Sequence, residues 1–182
     1  MTKRPTAGLY ESSYFSNDNT PGYGDYESEF PAHYESFRSR ITKSEFKLGR
    51  KGRLLDIGCA LGHCGKAAQD LGWETYVTDA STFAVNHAAE KHDLKSFVTS
   101  GDHIPVKTDA FDCVTLFDVI EHVNDPKLLL TEIARTLNKD GMLHLSTPNV
   151  SSMSAKLMGR HWYHYKPGEH LLYFSPATLQ RT

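Results

Sequence analysis

Leu54-Leu55-Asp56-Ile57-Gly58-Cys59-Ala60-Leu61-Gly62 is the stretch whose reading decides the fold. Arg53–Ile57 is a short apolar run that stops at a glycine, which suits a buried strand. Leu61–Leu71 is helical in composition, so Gly58, Gly62 and Gly65 lie in and just beyond a strand-to-helix turn. A glycine turn there brings backbone close to a ligand and leaves free N–H groups at the helix start, where an anionic group is favoured. The spacing is G-x-x-x-G-x-x-G, not the dinucleotide G-x-G-x-x-G. A purely structural turn has the same look, so its meaning depends on what surrounds it.

Downstream, strand and helix patterns alternate. Trp73–Thr78, Lys95–Thr99, Asp112–Phe117 and Met142–Ser146 read as strands. Thr82–His92 and Pro126–Leu137 read as helices, the second with Asp125 as N-cap and Pro126 in its first turn. Asn138–Gly141 reads as a turn. Such alternation implies βαβ units, an α/β class, and a doubly wound, mostly parallel sheet with right-handed crossovers.

Upstream the composition differs. Residues 1–52 carry nine aromatic residues but only Leu9, Ile41 and Leu48 as large aliphatics, too few for a core of their own. The first 25 residues read as irregular. Tyr26, Phe30, Tyr34, Phe37 and Ile41 then fall on one helical face, with Pro31 kinking or starting the helix. The expected division is an aromatic-rich segment and helix at 1–52, packed on the main domain or serving as a lid, followed by a domain at 53–182. At the other end Ser175-Pro176 starts a helix that has only six further residues, so a truncated chain is expected.

The whole chain of 182 residues is 39% apolar with a net charge of −2, which gives no support to a general electrostatic grip on nucleic acid. Three cysteines make a disulfide-built secreted fold untenable and fit reduced cytoplasm. No apolar run is long enough to cross a membrane.

Five groups carry chemistry. Asp79 ends the second strand, 21 residues after Gly58. Its two acceptor oxygens suit the paired hydroxyls of a ribose, although an Asp after a strand is also a common helix cap. Asp102, after the third strand, can accept from an exocyclic adenine amine or sit in an ordinary polar turn. Phe117 to His122 leaves the carboxyl end of the fourth strand, beside the same rim, and His122 has the titration range of a general base. His161, His164 and His170 in the tail suggest an aromatic wall or plain packing, not a metal centre. Arg38–Arg53 holds seven basic residues and one acid, a solvated face or, alternatively, a contact for an anionic substrate.

Together LLDIGCALG (54–62), TYVTDAS (75–81), GDHIPVKTDAFDCVTLFDVIEHVNDP (101–126) and NKDGMLHLSTPN (138–149) resemble the class I S-adenosylmethionine-dependent methyltransferases. The nearest subgroup looks like that of ubiquinone-type O-methyltransferases and glycan-associated relatives, whose tails are similar to HWYHYKPGEHLLYFSPATL (161–179). The resemblance implies a Rossmann-like fold. It also implies that Asp56, Gly58, Cys59 and Gly62 surround the methionine part of the cofactor, with Asp79 and Ala80 at the ribose and adenine. Asp102 and His103 fall on the adenine side, and Phe117 and Asp118 on the fourth-strand end. Ala60 departs from the family, which often has Gly there. The fold is expected to lack the family's final antiparallel strand pair, which would leave a sheet edge open to a second copy.

The expected activity is methyl transfer from S-adenosylmethionine, leaving S-adenosylhomocysteine, to a small-molecule hydroxyl with His122 as base. A nicotinamide-dependent oxidoreductase and a non-catalytic S-adenosylmethionine-binding protein are the alternatives.

Overall fold

The computed structural model describes residues 29–182. The irregular first stretch and the Tyr26 end of the aromatic stripe lie outside the described residues. Five strands form one sheet: β1 (Arg53–Ile57), β2 (Glu74–Asp79), β3 (Lys95–Val98), β4 (Phe111–Phe117) and β5 (Leu137–Ser146). Their order is β3-β2-β1-β4-β5 and every pairing is parallel, the Rossmann-like α/β arrangement expected. The strand order reverses between β1 and β4. Ligands in open α/β sheets lie outside the carboxyl ends of the strands at that point.

Residue alternation assigns the two faces. Leu55, Ile57, Val114 and Leu116 point to one side, where Leu129 and Ile133 of α4 (Pro126–Thr136) complete a core with Ile104 and Phe174. Leu54, Cys113 and Phe117 point to the other, against Ile41 of α1 (Phe30–Leu48) and Cys64 and Ala68 of α2 (His63–Asp70). Val77 and Leu94 meet Ala88 of α3 (Thr82–His92) beside them. Both faces of the central strands are covered, as continuous apolar strands require. Two short helices, α5 (Met153–Met158) and α6 (Pro176–Leu179), lie in the tail.

Local signals account for the helix ends. Pro31 lies in the first turn of α1, so it starts the helix instead of kinking it. Asp125 caps α4 by accepting from the Leu128 N–H at 3.0 Å. Asn138–Gly141 is not a turn ahead of β5 but part of it. Phe111 pairs with Leu137 and Cys113 with Met142, so β5 carries a wide bulge opposite Asp112. Asn138 Nδ2 ties it by donating to Asp112 Oδ1 at 3.0 Å. β3 and β5 are the sheet edges. No helix among the described residues is long and apolar enough to cross a membrane.

Candidate functional site

The carboxyl ends of β1 and β2 form one half of the site. Gly58 (φ 74°) and Gly62 (φ 88°) take left-handed backbone that glycine adopts without strain. At Gly58 a Cβ would also lie 2.2 Å from Val119 Cγ2, so the β1 loop and the segment after β4 pack backbone against side chain. The Gly58 and Cys59 N–H groups both donate to the Thr78 carbonyl, at 2.8 and 3.0 Å, which folds the loop over the end of β2. Cys59 is itself buried. Ala60 adopts φ 47°, an uncommon conformation for a residue with a Cβ.

What holds Ala60 there is Asp79. Its Oδ2 accepts from the Ala60 N–H at 3.0 Å and its Oδ1 from the Ser81 N–H at 2.9 Å. Asp79 is therefore not the cap of α3; Ser81 is, through the Ala84 N–H at 3.2 Å. Each carboxylate oxygen keeps a lone pair free for a ligand hydroxyl. Burial pushes the Asp79 carboxyl above its ordinary range, and the N–H groups of Ser81, Ala60 and Ala80 pull it back. Ala80 is exposed on the same rim.

Asp56 lies beneath this rim, not on it. It is buried at 2% exposure, and its Oδ1 accepts from Thr115 Oγ1 at 2.7 Å. Burial raises it to about 6, with bonds from Thr115 and Cys64 opposing. Asp102 is exposed in the loop after β3, which starts beside Asp79 through a Thr99 N–H to Asp79 carbonyl bond of 3.0 Å. His103 is exposed too, and its Nδ1 is 3.4 Å from Glu132 of α4.

The ends of β4 and β5 form the other half. Phe117 is buried and stacks on Phe37 of α1, ring centroids 5.7 Å apart. Asp118 turns the chain at φ 56°, with its N–H on the Ser146 carbonyl at 2.9 Å and its Oδ1 accepting from Ser146 Oγ at 3.3 Å. A short 3-10 turn, Ile120–His122, follows. His122 Nδ1 lies 3.0 Å from the Glu169 carbonyl, which can only accept. That bond puts the proton on Nδ1 and leaves the Nε2 lone pair available. Burial lowers the His122 imidazole below its usual range, favouring the neutral form.

Sequence reasoning missed the roles of two residues here. Glu121 is buried; its Oε2 accepts from Thr147 Oγ1 at 3.0 Å, and its Oε1 has no hydrogen-bond partner among the described residues. Burial lifts it to about 7. His170 packs edge-on to His122 at 4.9 Å and also has an unpartnered Nδ1. Glu121, His122 and His170 offer one donor atom each within 4.8 Å of one another, a set that fits a divalent cation. His170 is 48 positions beyond His122, and nothing local marks it as a neighbour.

Residues 27–182 match a family model described as a methyltransferase domain. A ubiquinone biosynthesis O-methyltransferase of Xanthomonas oryzae pv. oryzae is 31% identical over 150 residues, covering 70% of this chain and 62% of that protein. The mitochondrial ubiquinone biosynthesis O-methyltransferase of Candida albicans is 33% identical over 132 residues, covering 65% and 40%. The chain thus spans less than two thirds of the length of these relatives. Among solved structures, a SAM-dependent methyltransferase of Archaeoglobus fulgidus aligns with a TM-score of 0.68 at 18% identity, over 86% of this chain and 69% of that one. One from Thermotoga maritima, described as a possible histamine N-methyltransferase, aligns at 0.67 and 20%, over 86% and 73%. The structural likenesses agree with the strand order derived above, and the match over 27–182 takes in α1 as well as the sheet: the chain belongs to the methyltransferase domain family.

Proposed function

We propose that this protein moves a methyl group from S-adenosylmethionine to a hydroxyl of a small-molecule acceptor. The observation that carries the reading is the Asp79 carboxylate, bonded to both loops at the β1–β2 rim with lone pairs left over. Asp79 would take the ribose hydroxyls, and the Gly58–Gly62 backbone would lie along the methionine part. Cys59 contributes through its main chain, Ala80, Asp102 and His103 flank the base, and Phe117 and Asp118 close the side towards the acceptor. Asp56 supports the loop from below.

The cofactor supplies an activated sulfonium methyl. The acceptor oxygen forms a bond to that carbon as the carbon–sulfur bond breaks, and S-adenosylhomocysteine leaves. The protein's task is alignment and removal of the hydroxyl proton. His122 Nε2 is the acceptor of that proton in this reading, its tautomer held by the Glu169 carbonyl.

Calorimetry with S-adenosylhomocysteine tests the cofactor half. Asp79→Ala is expected to weaken binding about a hundredfold, because it removes charge-assisted hydrogen bonds; unchanged affinity rejects the ribose role. His122→Ala is expected to leave that affinity intact and lower turnover about a hundredfold or more. An NADH titration separates this from the oxidoreductase reading, which requires saturable binding. Cofactor binding without transfer to any acceptor would leave the non-catalytic reading.

A second reading follows from the unpartnered Glu121 Oε1 and His170 Nδ1. A divalent cation held by Glu121, His122 and His170 would supply Lewis acidity to the acceptor hydroxyl. Manganese titration of the wild type and of His170→Ala, read by electron paramagnetic resonance, tests it directly. Pairing of a second copy along the β5 edge belongs to the same proposal; a monomer throughout a sedimentation-equilibrium series rejects it.

A further inference from the structure

We infer that His33, His63, His87 and His92 form an acid-released clamp that holds the start of α1 against α2 and α3. The clamp stands on ring geometry and needs nothing from the methyl-transfer reading. Only its consequence at the cofactor rests on that reading.

Three helices bring the four imidazoles together: His33 comes from α1, His63 from α2, His87 and His92 from α3. Phe30, the first residue of α1, lies edge-on to His63 with ring centroids 4.8 Å apart, and stacks on His92 at 5.5 Å. His33, one turn further along α1, is 5.6 Å from His63. His63 and His92 are 6.3 Å apart, and His92 and His87 are 6.2 Å apart. Neutral imidazoles pack in this way as small aromatic rings. His63 is buried at 2% exposure, and the other three are half-buried.

Protonation reverses the sign of these contacts. A single imidazolium over the face of Phe30 would gain from the ring. A second would meet the first across a partly dry junction, where like charges disfavour each other. His63 would also lose the hydration that an ion needs. Burial, and then the charges of His33, His92 and His87, accordingly hold the His63 imidazole down to about 3. Burial lowers His92 as well, helped by His87, Lys66 and Lys91 and opposed by Asp70. Asp70 of α2 is itself engaged by Lys66 and by the Tyr34 hydroxyl. Glu29, just before α1, lies 3.4 Å from His33. It favours a charge on His33, which adds to the repulsion at His63.

The closed clamp therefore binds fewer protons than the released one. Closure is favoured above the ordinary histidine range and is lost as the pH falls below it. Release is local. Ile41 of α1 is fully buried and Phe37 stacks on Phe117, so the helix stays anchored further along. The Tyr34 hydroxyl donates to Asp70 Oδ2 at 2.9 Å, and Lys66 holds the Asp70 carboxyl below its usual range, so this bond outlasts the ring cluster on acidification. His63 opens α2 directly after Gly62. Release of the first turns of α1 thus strips packing from the helix that ends the glycine turn. In the methyl-transfer reading, acid then loosens the Gly58–Gly62 backbone along the methionine part.

Hydrogen exchange of the full chain without ligand, read by mass spectrometry at pH 7.5 and 5.0 and corrected for the intrinsic rate, tests the clamp. Protection of residues 30–36 should fall at least about tenfold on acidification, while that of α4 changes less than about twofold. His63→Phe keeps a ring that takes no proton and should erase the fall. His92→Gln should reduce it and serves if the first variant fails to fold. In a proton NMR titration of the wild type, the His63 ring should titrate at least about one unit below the ordinary value of about 6.5. His92→Gln should move that midpoint upward. Equal protection of the first turns at both pH values in the wild type overturns the inference. So does an equal loss over α1 and α4, a fall that survives in every variant that folds, or a His63 midpoint at the ordinary value.

Discussion

The two halves of the rim are built by different means. On the β1–β2 side, backbone N–H groups of two adjoining loops make the joints: Gly58 and Cys59 donate to the Thr78 carbonyl, Ala60 and Ser81 to the Asp79 carboxylate. On the β4–β5 side, side chains from distant segments meet: Arg40 with Ser146, Glu121 with Thr147, His122 with Glu169 and His170. The first half is a rigid cradle whose shape depends on where a Cβ is tolerated. The second is a junction of α1, the 3-10 turn and the tail. In the proposed reading the first would hold a constant nucleoside and the second a variable acceptor.

The largest expected break of this contrast is Gly58→Ala. A Cβ at φ 74° and 2.2 Å from Val119 Cγ2 must move the loop. S-adenosylhomocysteine binding should fall at least about a hundredfold, roughly 3 kcal/mol, with a lowered melting temperature. Calorimetry and thermal unfolding measure both, and wild-type affinity would show that the cradle tolerates a side chain.

Asp56 comes next. Burial raises its folded-state value to about 6, against an ordinary Asp value of about 4. The folded state therefore binds its proton more tightly than the unfolded chain. Stability from this group is fully present below about pH 4 and is lost as the pH rises through about 6. Asp56→Asn should flatten that slope and add on the order of 2 kcal/mol at neutral pH. Urea unfolding of both proteins at several pH values checks the sign; a slope unchanged in the variant removes Asp56 as its source.

Thr147→Val sharpens the contrast from the other half. It leaves Glu121 without its one side-chain partner and should lower methyl transfer about tenfold. S-adenosylhomocysteine affinity should be unchanged, and a drop in it would join the halves into one unit. The smallest effect is expected from Ala60→Gly. Relief of the φ 47° strain slightly outweighs the added chain entropy, for a gain of about 0.5 kcal/mol. A loss of stability in thermal unfolding would contradict strain at that turn.

The βαβ order was readable because buried parallel strands are continuous apolar runs and helix ends carry local signals. Asp125 and Pro126 start α4, and Ser175 and Pro176 start α6, as their types require. The bulge at Asn138–Gly141 was not readable as such, because the same residues make turns. Only pairing with Phe111 and Cys113 turned them into strand. The cradle residues carried signals of their own: glycines where φ is positive, and an acid at a strand end. Glu121 and His170 carried none. A Glu beside a His and a His in an aromatic tail are ordinary until the fold sets their neighbours, and Arg40 was one of seven basic residues in a run that reads equally as a solvated face.

By itself the chain's order of residues determined the sheet class, the face each strand residue takes and the glycine-and-acid rim at the ends of β1 and β2. Those depend on backbone sterics and short-range periodicity, which act within a few positions. Tertiary structure alone decided that Asp56 sits beneath the rim, that His122 is held by the Glu169 carbonyl, and that Arg40 stands over Phe117 without a counter-charge among the described residues. Burial and counter-charge are properties of the space around a group, and that space exists only once segments tens of residues apart have packed together.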